Sequence, residues 1–447
     1  MLLRRLSRAL PILLAVLLFA AYGAVAVLRH LRLETAGFDL GIFEQGVRGY
    51  AGFEAPVAPL KGAGFDLRGD HFSPVLIMLA PLYRVFPSAL TLLLAQAALF
   101  AVSVMPVARF AVEVADRRLG ALLGLAYGLS WGLWAAVEFD FHEVAFAVPV
   151  TALAVTALAR DRTAAAVRWA LLLLLVKEDQ GLLVASVGGY LAVRGRRLPG
   201  AVLIGAATVA TAVAVLLAVP AYSPYGLYTY ATEGSWNGGA PLARLLLPGV
   251  KGLTVLALLA PTLFVALRSP LCLLAVLPLV ARFWSVNPAY WGTTEHYNAT
   301  LVPVFFVAML DGVRRSRRGV RAAVVLALPV AVAMFPMPSL QLPGAQDRAV
   351  RSTLSAVPDG ASVAASNRLA PQLTGRCTVS LFPFLSPPDR PGPWSRPVAG
   401  WVVAFDRPDD FPLPAAQQRD ALAELPAAGY RVVASGGGVT VYRWGAG

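Results

Sequence analysis

Apolar runs close to the length of a bilayer recur along this chain, and nothing else in it is as restrictive. Roughly 20 apolar residues in a helix cross the hydrocarbon core. Stretches near residues 9–28, 88–113, 118–137, 143–159, 164–176, 181–194, 198–219, 250–267, 270–286, 297–311 and 320–338 meet or approach that length. They predict an all-α polytopic membrane protein with about eleven transmembrane helices. One soluble core does not account for them, because 57% of the residues are hydrophobic and only 14% charged. The runs 164–176 and 181–194 are short for spans and flank Lys177-Glu178-Asp179, so they read as a helical hairpin with a polar tip. Segment 73–86, apolar but bounded by Pro74 and Pro87, reads as a re-entrant or interfacial helix. The N-terminal run reads as a signal anchor that is retained.

The net charge is +13, yet the arginines gather in short segments between the apolar runs. Arg4, Arg5 and Arg8, then Arg117 and Arg118, Arg160 and Arg162, Arg194, Arg196 and Arg197, Arg268, and finally Arg314, Arg315, Arg317 and Arg318 all fall on one side if 73–86 does not cross. The positive-inside rule makes that side cytoplasmic, at the cost of placing Arg29 and Arg32 outside. This distribution argues against nucleic-acid binding. The arginine-rich, lysine-poor composition suggests a bacterial cytoplasmic membrane, with the N-terminus inside. The two cysteines form no disulfide framework or zinc motif.

Residues 1–339 are therefore expected to form a multi-span domain, and 340–447 a small extracytoplasmic α/β domain. In the tail, QDRAVRSTLSAVP and PAAQQRDALAELPAAG have helical patterns. ASVAAS, TVSLFP and WVVAFD read as short buried strands, and YRVVASGGGVTVYRW as a hairpin turning at Gly436-Gly437-Gly438.

The same topology puts the acid- and histidine-rich motifs together on the outer side, including three of the four histidines. Ionisable groups beside spans are costly and tend to mark sites. Asp39, in FDLGIFEQ with Glu44, reads as a general base or metal ligand, or as the N-cap of the helix that follows. Asp70-His71 reads as a phosphate or metal site, or as a capping loop. Glu138, Asp140, His142 and Glu143 crowd one junction. If helix continues through them, Glu138 and His142 share a face at i,i+4 spacing and can make a metal or phosphate site; otherwise the cluster is a hydrated interfacial loop. Lys177, with Glu178 and Asp179, offers a point charge for a phosphate, or an internally neutralised turn. Arg282 ends a span, and Glu295-His296 opens the next. Trp284, Tyr290 and Trp291 between them read as a sugar-stacking surface or an interfacial belt. No GxxxxGK[ST] loop occurs, which removes support for ATP-driven transport.

FDLGIFEQ, HFSPVLIMLAPLYRVFPS, EFDFHEVAFAVP, VKEDQGLLVA and EHYNA, in this order and spacing, resemble the DUF2079 family of bacterial predicted membrane proteins over about residues 10–340. That family is similar in architecture to the GT-C glycosyltransferases, which use polyprenyl-phosphate sugar donors and place a catalytic acid in the first outer loop. The resemblance implies that Asp39 is the catalytic base or a metal ligand, and that His71, Lys177, Arg282 and His296 hold the lipid phosphate. Glu44, Asp70, Glu138, Asp140, His142, Glu143, Glu178, Asp179 and Glu295 would shape the pocket or bind a divalent cation such as magnesium or manganese. The implied partners are the bilayer, a polyprenyl-phosphate-linked sugar and a cell-envelope acceptor. Glu143 stands where the family pattern has proline, and Gln180 where it has leucine. A transporter or lipid-handling protein with an outward polar cavity, and a non-catalytic scaffold, are the alternative readings.

Overall fold

The computed structural model describes residues 2–234, 240–315, 320–384 and 399–445. Arg317 and Arg318 lie outside them. Each apolar run contains a helix. Among the described residues, four are long and apolar enough to cross a membrane: Ala9–Leu31, Ala89–Val114, Arg117–Phe139 and Arg197–Tyr222. Shorter apolar helices occupy Pro74–Val85, Glu143–Ala159, Thr163–Leu173, Val250–Thr262 and Pro270–Trp284. The shortening has local causes. The 250–267 run breaks where Leu263 and Phe264 adopt positive φ. The 297–311 run begins as a turn and becomes helix only at Val302–Arg315.

The chain separates into two compact units. One comprises Met1–Ala24, Arg68–Leu76 and Ala95–Pro338. Val302–Arg315 lies deep within it, buried all round from Val302 to Val313, as expected of a helix that is apolar on every face. The helices Gly181–Val193 and Arg197–Val213 approach most closely at glycines. A Cβ on Gly188 would stand 2.8 Å from the Gly200 carbonyl oxygen, and one on Gly200 would stand 2.6 Å from that of Gly188. Small residues permit such backbone contact in membrane helices. Gly188→Val is expected to cost about 2 kcal/mol or more, read as a lowered denaturation midpoint in detergent. An unchanged midpoint would mean that the two helices do not pack there.

The second unit comprises Val25–Leu67, Ile77–Leu94 and Ser339–Gly447. Its strands are β1 (Ser362–Ala365), β2 (Thr378–Leu381), β3 (Trp401–Phe405), β4 (Tyr430–Gly436) and β5 (Val439–Trp444). They form one mixed sheet ordered β2-β1-β3-β5-β4. β1 runs parallel to β2 and β3, whereas β5 pairs antiparallel with β3 and β4. Inward-facing Ala364, Val402 and Ala404 pack with Phe382, Leu425 and Tyr430. The hairpin turns at Gly437 and Gly438, both at positive φ, which glycine adopts without a Cβ penalty.

The segment after the first helix is stitched to this sheet. Gln45 donates to the Val379 carbonyl at 2.7 Å, and Arg48 to the carbonyls of Thr374 and Cys377 at 3.0 and 2.7 Å. Glu44 is fully buried and accepts from the hydroxyls of Tyr83, at 2.9 Å, and Thr374. Arg32 forks onto Glu34 at 3.0 and 2.9 Å, a local neutralisation of its charge. The helical stretch is broken at Phe38, with φ −91° and ψ 102°, immediately before Asp39.

Candidate functional site

The first unit holds a cavity of about 290 Å³. Its polar lining includes His71, Lys177, Glu178, Asp179, Arg282 and His296, all singled out in the sequence. Val144, Leu182, Leu183 and Leu301 supply apolar wall, and Tyr228, Tyr230, Tyr290 and Tyr297 aromatic wall.

Lys177 is extended and caps the short turn Glu178–Gln180 between two helices, so the charged triplet forms the polar tip of a helical hairpin. Its ammonium lies 2.9 Å from Glu143, which in turn lies 2.6 Å from His142 Nδ1. Burial pushes the Lys177 pKa down, but Glu143, Asp179 and Glu178 more than reverse this and hold the ammonium charged. Two of its three N–H donors are not needed by Glu143.

Glu178 organises the other wall. It accepts from the Phe72 N–H at 2.9 Å and the Tyr228 hydroxyl at 2.8 Å, and lies 2.6 Å from His71 Nδ1. Burial and Lys177 push the His71 pKa down, while Glu178 and Asp70 push it up further, so His71 sits above its usual value. Burial pushes the Glu178 pKa up and His71 with Lys177 pull it below the usual range. His71 and Glu178 therefore form a charged pair that leaves His71 Nε2 outside the contact. Asp70 accepts from the Tyr230 hydroxyl at 2.9 Å, and Tyr230 stacks on His71 at 4.3 Å.

Arg282 donates to the carbonyls of Tyr290 and Tyr297 and to Asn298. Those bonds occupy most of its five donors, so it holds the 290–298 turn and adds charge more than a free fork. The helix does not continue from Glu138 through His142. The helix Trp131–Phe139 ends at Asp140, which has φ 107° and ψ −176°, a region almost reserved for glycine. The Gln96 side chain bridges this break, donating to the carbonyls of Ala136 and Asp140 at 3.0 and 2.6 Å and accepting from the His142 N–H at 3.0 Å. His142 then stacks on His296 with centroids 3.6 Å apart.

Glu138 and Glu295 line a different cleft, with Trp131 and Thr294. Asp39 and Glu44 belong to the second unit and are not among the residues lining the cavity. Among the described residues, no three His, Cys, Asp or Glu side chains converge as a metal site. Tyr228, Tyr230 and Gln96 were missed in the sequence. Gln96, an amide inside an apolar run, carried a signal, whereas the tyrosines had none beyond their alternate spacing. Gly128-Leu129-Ser130-Trp131-Gly132 has nucleophile-elbow spacing, but Ser130 is buried between two helices. An elbow serine sits exposed on a strand-to-helix turn.

This arrangement defines a helical membrane protein with a charged, aromatic cavity. The fold is similar to the crystal structure of ArnT from Cupriavidus metallidurans bound to undecaprenyl phosphate, with a TM-score of 0.53 and 15% identity over 96% of this chain and 98% of that one. The sequence profile of the predicted membrane protein family DUF2079 matches residues 29–441, and the chain belongs to that family. No curated protein matches it significantly in sequence.

Proposed function

We propose that this chain is a membrane glycosyltransferase that moves a sugar from a polyprenyl-phosphate carrier to an acceptor outside the cytoplasm of a bacterial cell. The observation that carries the reading is the meeting of Lys177 and His71 in one cavity that also has apolar and aromatic walls. A cationic end suits a lipid phosphate, aromatic faces suit a sugar ring, and the apolar wall suits the first isoprene units. The similar ArnT structure, bound to undecaprenyl phosphate, supports the same class of ligand.

In the reaction, an acceptor hydroxyl oxygen attacks the anomeric carbon and the bond from that carbon to the phosphate oxygen breaks. The hydroxyl proton goes to a base, and polyprenyl phosphate leaves with both bonding electrons. Lys177 and protonated His71 stabilise the charge gathering on the leaving phosphate. Asp39 is assigned as the base by family resemblance.

Purified protein in nanodiscs is expected to bind undecaprenyl phosphate, and Lys177→Gln to weaken that binding by roughly 10–100-fold, the worth of one charge-assisted contact. Unchanged affinity would remove Lys177 from the phosphate site. Asp39→Asn is expected to abolish transfer from sugar-linked undecaprenyl phosphate while lipid affinity stays within about twofold. Transfer that survives the change would rule out Asp39 as the base.

A further inference from the structure

His296 differs from the other charged or basic side chains of the cavity. It is only 2% exposed, it lines the cavity, and neither ring nitrogen has a hydrogen-bond partner among the described residues. Its ring is nonetheless fixed. It stacks on His142 and lies 4.1 Å from Tyr297 and 5.1 Å from Phe139, centroid to centroid. The neighbours are already engaged: His71 with Glu178, Lys177 with Glu143, and Arg282 with backbone carbonyls. A buried polar group held in place without a partner calls for an explanation, and a ligand is one.

The surroundings decide the charge of that ring. His142, Lys177 and Arg282 face it with positive or potentially positive groups, and Tyr297 with a neutral phenol. Of the acids, Glu143 is already shared between His142 and Lys177, and Glu295 lines the other cleft. Burial, with His142 and Lys177 next, holds the His296 pKa well below its usual value. A neutral imidazole has one donor nitrogen and one acceptor nitrogen. A phosphate diester only accepts and an ammonium only donates, whereas a hydroxyl does both.

We infer that His296 forms a subsite for sugar hydroxyls, separate from the end of the cavity where Lys177 and His71 take the phosphate. The inference rests on the lipid-phosphate reading above and divides that one cavity into two chemically distinct halves. It moves His296 from phosphate holder to a residue that recognises the sugar.

The test measures binding of undecaprenyl phosphate and of its glucosyl, galactosyl and mannosyl phosphodiesters to full-length protein in nanodiscs. At least one sugar-linked probe is expected to bind about tenfold or more tightly than the bare phosphate. His296→Leu is expected to erase that difference while leaving the bare phosphate within about twofold, and His296→Gln, whose amide both donates and accepts, to retain part of it. Lys177→Gln is expected to weaken all the probes alike. If wild type binds none of them, the lipid-phosphate reading fails, and this inference with it. If the bare phosphate binds but no sugar-linked probe binds more tightly, or if His296→Leu weakens all probes equally, the division of the cavity is wrong and the parent reading stands. Should the variants not fold, nitrogen NMR of histidine-labelled wild type, with four histidines in all, takes their place. One imidazole that is neutral at pH 6 must then shift with the sugar-linked probe and stay unmoved by the bare phosphate. Identical responses to both would overturn the inference.

Discussion

Glu143→Ala is expected to lower the stability of the membrane unit by about 3–5 kcal/mol, the cost of breaking a buried ion pair from one side. Glu143 is fully buried and lies 2.6 Å from His142 and 2.9 Å from Lys177. Removing it takes away the nearest counter-charge of the Lys177 ammonium and leaves Asp179 and Glu178 to hold it alone. The weaker pairing loosens the hairpin tip that shapes the cavity. Because the penalty belongs to the orphaned charge, Glu143→Ala combined with Lys177→Met is expected to recover most of the lost stability. Denaturation in detergent with both variants measures this. Equal midpoints for the single and double variants would show that Glu143 acts through packing and not through its charge.

The second unit is expected to lose stability as pH rises, because of Glu44. Burial pushes its pKa up to about 7, against the opposing hydrogen bonds from Thr374 and Tyr83 and the charge of Arg48. The folded state therefore holds this proton more tightly than the unfolded state, whose glutamate titrates near 4.3. The stabilising contribution is fully present below about pH 4.3 and is lost as pH rises through about 7, amounting to about 4 kcal/mol between the two limits. Hydrogen exchange of the helix Ile42–Ala51 is expected to be slower at pH 5 than at pH 8 once corrected for intrinsic rates. Glu44→Gln should abolish that difference and protect the helix at pH 8. Protection that increases with pH in wild type would mean that Glu44 is held ionised.

Some of this architecture follows from one-dimensional rules. The apolar runs were legible because a bilayer imposes a length, and the tail strands because alternation and glycine turns leave a local pattern. Lys177-Glu178-Asp179 stood out because charges between apolar runs are costly. What failed to show was set by distant partners or by a single backbone angle. Glu138 and His142 looked like one helical face, but Asp140 turns the chain between them at φ 107°. Glu295 and His296 are neighbours in sequence, yet they line different cavities. Tyr228 and Tyr230 reach acids 50 and 160 residues away, a relation that no local motif encodes. Glu44, grouped with the pocket acids, is a buried staple within the second unit, holding Tyr83 and Thr374.

The cavity beside Lys177 is the proposed binding place of a lipid phosphate. A cryo-electron-microscopy map of the full chain in nanodiscs with undecaprenyl phosphate tests this most directly. Phosphate density within hydrogen-bond reach of Lys177 Nζ and His71 Nε2, with the isoprene chain leaving past Leu182 and Leu301, is the predicted result. Phosphate density held elsewhere on the protein, with the cavity holding only water, would contradict it.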